Sequence, residues 1–135
     1  MRLRVEVVTT CARQRCKTRT WNGYGLCKTH ATRLADEDFA RHVRGWGPCM
    51  ALALDSACAG AEQCAHIISR SYRVTRWDPA NAVPLCAGHH TYFTHRPLEW
   101  EAFIEQRSPG DLDDLKKRAL NGTKAEAQEL MEVWL

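Results

Sequence analysis

The sequence contains one metal-gripping spacing twice, as Cys27-Lys28-Thr29-His30 and Cys86-Ala87-Gly88-His89. A thiolate and an imidazole so spaced sit on one tight turn and can hold two corners of a tetrahedral ion such as zinc. Cys11 and Cys16 precede the first pair, giving Cys-x4-Cys-x10-Cys-x2-His. Four protein ligands leave no position for water or substrate, so Cys11, Cys16, Cys27 and His30 are expected to form a structural Cys3His site. The cysteines number 7, and no Cys-x2-Cys occurs. The stretch MRLRVEVVTT lacks the apolar run of a secretory signal. A disulfide framework and a thioredoxin-like motif are therefore not expected, and a reducing cytoplasm is.

These residues must be positioned by elements legible in the chain. LRVEVV at 3–8 alternates like a short strand. Residues 9–30 have little to bury and need an ion to hold shape. Residues 28–44 read as a helix with Leu34, Phe39 and Val43 on one face and Ala31 and Ala35 beside them, stopped by Gly45-Trp46-Gly47-Pro48. EQCAHIIS at 62–69 is a strand. Residues 70–81 form a charged connection, and Asn81–Cys86 is a returning strand in which Pro84 requires an edge or bulge. A helix follows over 87–95, then PLEWEAFIEQR with Pro97 in its first turn. Two further helices, near 111–120 and 123–134, are set apart by Gly110 and Gly122. Trp46, Trp77, Trp100, Phe103 and Ile104 are expected in the core, and His42 at the surface. The fold class is thus α+β, in three segments: 1–44, 45–108 and a helical extension 109–135.

The chain has 135 residues and a net charge of +3, unevenly spread. Residues 1–98 carry 14 Lys/Arg against 7 Asp/Glu, and residues 99–135 carry 5 against 9. The cysteine- and histidine-bearing part is the basic part, which favours nucleic acid by release of counterions from phosphates. No apolar run is long enough to span a membrane.

The densest signal is CAHIISRSYRVTRWDPANAVPLCAGHHTYFTH at 64–95: a His on a strand, an Asn opening the return strand, and Cys-x2-His-His entering a helix. It resembles the HNH endonuclease family, in particular small bacteriophage-type members with a pattern like AHIxSR…RW…N…LC..CH. The resemblance covers about residues 45–105. The Cys-rich N-terminal segment also looks like the knuckle ahead of some phage members, and the last 30 residues match nothing in the pattern.

The resemblance implies a ββα-metal finger. His66 matches the family's general base, Asn81 the residue that braces the loop, and His90 a ligand of the catalytic divalent ion (magnesium, manganese, nickel or zinc). Most members carry Asp, Glu or His directly before the base, where this chain has Ala65. His95 is the expected substitute ligand, with Glu62, Cys64 and Asp78 as other candidates, and His66 itself binding metal stays open as an alternative. A second structural zinc is implied on Cys86 and His89, joined by Cys49 and Cys58, with Cys64 as the alternate for Cys58. Two structural zincs are expected in all.

Arg70, Arg73 and Arg76 lie three apart between His66 and Asn81, where guanidinium groups can bridge phosphates beside a cut. Arg96 is a weaker candidate. The expectation is a metal-dependent nuclease that hydrolyses DNA phosphodiester bonds, leaving 5′-phosphate and 3′-hydroxyl as in the resembled family. The location would be the host cytoplasm if the chain is phage-encoded. Two alternatives stand beside it: an inactive zinc-binding DNA adaptor, and a module that binds a phage or host protein through its acidic C-terminal helices.

Overall fold

The structure, a computed structural model, describes residues 10–13, 16–18, 20, 25–52 and 58–135. The strand expected over 3–8 lies outside these residues. The observed order is α1 (Lys28–Arg44), β1 (Glu62–His66), α2 (Arg73–Arg76), a 3-10 turn (Pro79–Asn81), β2 (Ala82–Cys86), α3 (Ala87–Thr94), α4 (Pro97–Arg107), α5 (Asp111–Asn121) and α6 (Lys124–Glu132). The architecture is a small α+β domain, with a two-stranded sheet inside a shell of helices.

β1 and β2 are antiparallel, with Glu62 opposite Cys86, Cys64 opposite Pro84 and His66 opposite Ala82. Both faces of this ribbon are covered, so all five residues of β2 are buried. On one face Ala65, Val83 and Leu85 join Phe93, Phe103, Ile104 and Leu112 from α3, α4 and α5. On the other, Ala82 joins Phe39 and Val43 of α1, Trp77 and Met131 of α6, with Cys64, Leu130 and Trp134 against them. Pro84 is tolerated because it faces the outer edge. Its carbonyl accepts from Met50 N at 2.8 Å, and in an antiparallel strand a residue's N and C=O point the same way, so no ladder donor is lost.

α1 buries Ala31, Ala35, Phe39 and Val43 at four-residue spacing, the stripe that faces a core. Leu34, expected on that face, is only partly buried. Trp46 departs further from expectation: it lies beyond the Gly45 stop, 43% exposed, with its ring edge-on to His42. β1 ends at His66 rather than 69, because there the Asn81 side chain takes over the pairing with Ile68. The connection 70–81 is not all loop, for it holds α2 and the 3-10 turn.

The C-terminal helices belong to the same core. Trp134 Nε1 donates to the Trp77 carbonyl at 3.1 Å, and its ring meets Phe39 edge-on at 5.1 Å. Gly122 makes the approach possible: a Cβ there would lie 2.2 Å from Val74 Cγ2, so the α5–α6 turn rests directly on α2. Of the apolar C-terminal residues Leu120, Leu130, Val133 and Trp134, Leu120 and Val133 stay exposed. Among the described residues no helix is long and apolar enough to cross a membrane.

Candidate metal centres and the histidine cleft

Two Cys3His clusters form, and they are built alike. In each, a cysteine is the N-cap of a helix in extended conformation, Cys27 for α1 and Cys86 for α3. The histidine three residues on lies in the first turn of the helix. A helix N-terminus favours a thiolate, since unpaired N–H groups and the helix dipole point at it. His89 N donates to Cys86 Sγ at 3.3 Å in this way.

Around His30 Nδ1 stand Cys11 Sγ at 3.2 Å and Cys27 Sγ at 3.3 Å, with Cys16 Sγ 3.9 Å from Cys27 Sγ. Around His89 Nδ1 stand Cys49 Sγ at 3.5 Å, Cys58 Sγ at 3.5 Å and Cys86 Sγ at 3.2 Å. In each cluster all ligand atoms lie within 4.8 Å of one another. A tetrahedron with Zn–S of about 2.3 Å and Zn–N of about 2.0 Å has S···S edges near 3.8 Å and S···N edges near 3.5 Å. Both clusters fit it. Cys58 completes the second, while Cys64 packs on the other side of the sheet.

Proton sharing within the second cluster points the same way. Burial pushes the Cys86 thiol up, but hydrogen bonds from the His89 and Ala59 backbone, the His89 ring and Cys49 outweigh it and bring the pKa down to about 6. Cys58, desolvated and crowded by the Cys86 and Cys49 sulfurs, is pushed up to about 12. Three adjacent thiolates repel one another, and a divalent cation is what lets all three ionise. Cys64, with no such partners, is raised by burial to about 11. None of the seven cysteines is in a disulfide. Gly60, at φ +80°, lets its loop lie against Ala87 beside this cluster, where a Cβ would come within 2.8 Å of the Ala87 Cβ.

His66 and His90 line one cleft of about 190 Å³, together with Ala65, Ile67, Leu85, Phe93, Thr94, Pro97 and Trp100. Each ring is held by one nitrogen. His66 Nε2 donates to the Arg76 carbonyl at 2.9 Å. A carbonyl oxygen only accepts, so Nε2 carries the hydrogen and the neutral ring keeps its lone pair on Nδ1. The ring also stacks on Phe39 at 5.5 Å. His90 Nδ1 donates to the Gln63 amide oxygen at 2.8 Å, which leaves Nε2 as its free lone pair. Burial lowers the pKa of both rings, so both are neutral at pH 7.

Asn81 is fully buried and fully satisfied. Its Oδ1 accepts from Ile68 N at 2.7 Å, and its Nδ2 donates to the carbonyls of Ile68 at 3.0 Å and Thr75 at 2.9 Å. It thereby closes the 68–75 loop onto β2. Arg76 is committed to Asp36 of α1 through a two-pronged contact of 2.9 and 2.6 Å, and Trp77 Nε1 adds a third bond to the same carboxylate at 3.0 Å. Arg70 is exposed and Arg73 half-buried. His95 is exposed at the C-cap of α3, and neither it nor Glu62, Cys64 or Asp78 lines the cleft. Asp78 instead caps the 3-10 turn and pairs with Arg118. Arg96 is exposed, with its guanidinium over the Tyr92 ring.

The residues that the sequence analysis missed are Asp36 and Gln63. Gln63 had a signal, since it shares the Ala65 face of β1 by alternation. Asp36 had none, because its partner lies 40 positions away. No family model, curated protein or solved structure matches the chain.

Proposed function

We propose that the chain is a metal-dependent endonuclease of the HNH type, hydrolysing phosphodiester bonds in DNA on a ββα finger made of β1, β2 and α3. The observation that carries this reading is the shared cleft of His66 and His90, each ring anchored by one nitrogen with the other left as a lone pair. Hydrolysis needs a base for the attacking water and a cation beside the phosphate. His66 Nδ1 takes the water proton, and the Arg76 carbonyl, bonded at Nε2, steadies the imidazolium that results. His90 Nε2 is the ligand for a divalent ion, which when bound supplies positive charge to the scissile phosphate and the leaving oxygen. Gln63 fixes the His90 ring by the outer-nitrogen contact typical of metal-bound histidine. Asn81 keeps the intervening loop closed, and the two zinc clusters hold the finger and its flank.

The donor set fits a weakly held ion. Among the described residues no carboxylate lines the cleft, so substrate oxygens and water would complete the coordination. A nitrogen donor suits manganese, nickel or zinc better than magnesium, which prefers oxygen. Zinc-filled protein should therefore nick supercoiled plasmid with manganese or nickel faster than with magnesium, and not at all with EDTA or as His66→Ala. Equal background nicking by wild type and His66→Ala would remove the enzyme.

One observation favours a second reading, an inactive zinc-braced DNA adaptor: Ala65 stands in the cleft where a ligand would, among apolar neighbours. It predicts DNA binding without cleavage in any divalent metal.

A further inference from the structure

A second cleft, of about 410 Å³, opens between α2 and α6, within the size range of ligand sites. Lys28 at the start of α1, Arg73 in α2 and Lys124 at the start of α6 line it, along with Ser71 and Tyr72, and among the described residues no carboxylate does. Four cations elsewhere are paired, Arg41 with Asp38, Arg76 with Asp36, Lys116 with Glu101 and Arg118 with Asp78, while others such as Arg70 and Arg96 stand exposed. Among the described residues Lys28, Arg73 and Lys124 make no ion pair.

Arg73 is the informative member. Its guanidinium is half-buried, 4.9 Å from the centroid of the Trp77 ring and 4.0 Å from Met131 Sδ. A soft aromatic face and a thioether steer a cation but do not neutralise it. Burial and the neighbouring Arg76 disfavour the charged guanidinium, with Asp36 offsetting part of this, and an anion in the cleft would recover that cost. The local backbone adds donors. The capping box of α6 uses the Thr123 and Glu126 N–H groups, so those of Lys124 and Ala125 have no intrahelical partner. Glu126 lines a separate cleft, beside Val74 and Arg118.

We propose that this cleft binds a phosphate group, and that its occupant is a backbone phosphate of the nucleic acid, held apart from the scissile one. The nucleic-acid source rests on the function proposed above, whereas the phosphate chemistry stands on the cleft alone. The site also links the N-terminal zinc cluster to binding, since Lys28 directly follows the ligand Cys27. Contacts of this kind position the duplex without reading its sequence.

Zinc-filled full-length protein, free of other divalent ions so that no cleavage occurs, is titrated with labelled DNA duplexes by fluorescence anisotropy over a salt series. The comparison is with Lys28→Ala/Lys124→Ala, whose two side chains are exposed and whose fold is checked by circular dichroism. The expected result is about a tenfold loss of affinity per lysine near 0.1 M salt, with the slope of log K against log salt flattened by about one unit per lysine. The loss should be equal for unrelated sequences. If DNA binding is unchanged, inorganic phosphate at constant ionic strength is titrated by NMR. Saturable shifts of the Arg73 and Lys124 amides, absent in the double variant, keep the phosphate site and assign it a free phosphate compound. Unchanged DNA binding together with no saturable phosphate shifts overturns the proposal. Plasmid nicking is scored separately: nicking with lysine-independent binding and no phosphate shifts removes the cleft alone. Lysine-dependent binding without nicking removes the enzyme alone.

Discussion

The backbone carbonyl of Arg76 accepts the Nε2 hydrogen of His66 at 2.9 Å, so the residue that holds the proposed base is itself held by Asp36 on another helix. Asp36→Asn leaves one acceptor but removes the ion pair and its fork geometry. About 2 kcal/mol of stability should go with it, from charge-assisted bonds that are mostly out of water. Arg76→Lys should cost a similar amount, because an ammonium cannot reproduce the two-pronged contact. A double-mutant cycle in urea should give a coupling near 1–2 kcal/mol. Additive losses would mean that the contact is not formed in solution.

Asn81→Ala takes the side-chain partners of the Ile68 N–H and C=O and one of the bonds to the Thr75 carbonyl, which Asp78 N still serves, a loss of about 2–3 kcal/mol. Asn81→Asp should be worse at pH 7, since it sets a carboxylate against the Ile68 and Thr75 carbonyls. Chemical denaturation at pH 7 and pH 4 separates the two. The Asp variant should regain stability when protonated, because its hydroxyl can then donate. An Asp variant as stable as wild type at pH 7 would contradict the buried contacts.

His66 carries a pH signature. Its folded pKa is lowered, mainly by burial, so between that value and the ordinary one near 6.5 the unfolded chain binds more protons than the folded chain. The stability tied to the neutral ring is thus complete above about pH 6.5 and lost as pH falls through the lowered value. The urea midpoint of wild type should drop more between pH 7 and pH 5 than that of His66→Gln. Loss of zinc at low pH is common to both and cancels in the comparison.

The two Cys3His clusters make a stoichiometric prediction. Metal analysis of purified protein should give about two zincs per chain, and structural zinc contributes on the order of 10 kcal/mol to folding of small domains. Cys16→Ser and Cys58→Ser should each lower the count by about one, while Cys64→Ser should leave it unchanged. A lower zinc count in Cys64→Ser would reassign the second cluster.

Much of this arrangement was legible in the residues. α1 and α4 have the bounds read from sequence, because Gly45 ends one and Pro97 begins the other with local chemistry alone. The first Cys3His set follows from ligand type and spacing, whereas the second comes only from the family resemblance, with Cys64 open beside Cys58 until the cluster shows Cys58 in it. What sequence could not carry was tertiary. The fork from Asp36 joins elements 40 residues apart and turns Arg76 from an apparent phosphate contact into a structural one. Trp46 reads as core by type, yet falls just past a helix stop and stays exposed. The C-terminal helices read as an extension whose apolar residues Leu120, Leu130, Val133 and Trp134 either dock back on the domain or meet a partner. Only the packing of Trp134 on Trp77 and Phe39 places them in the core.

In the proposed nuclease the free nitrogens of His66 and His90 face one exchangeable cation, His90 Nε2 as its ligand and His66 Nδ1 as the base beside it. This is tested most directly by adding substoichiometric manganese to zinc-filled protein and following histidine side-chain NMR signals. The His66 and His90 rings should broaden together at the lowest manganese, His89 and His95 beside them on α3 only at higher levels, and His30 in the N-terminal Cys3His cluster last. Broadening centred on His95, or none selective for the His66–His90 pair, would contradict it.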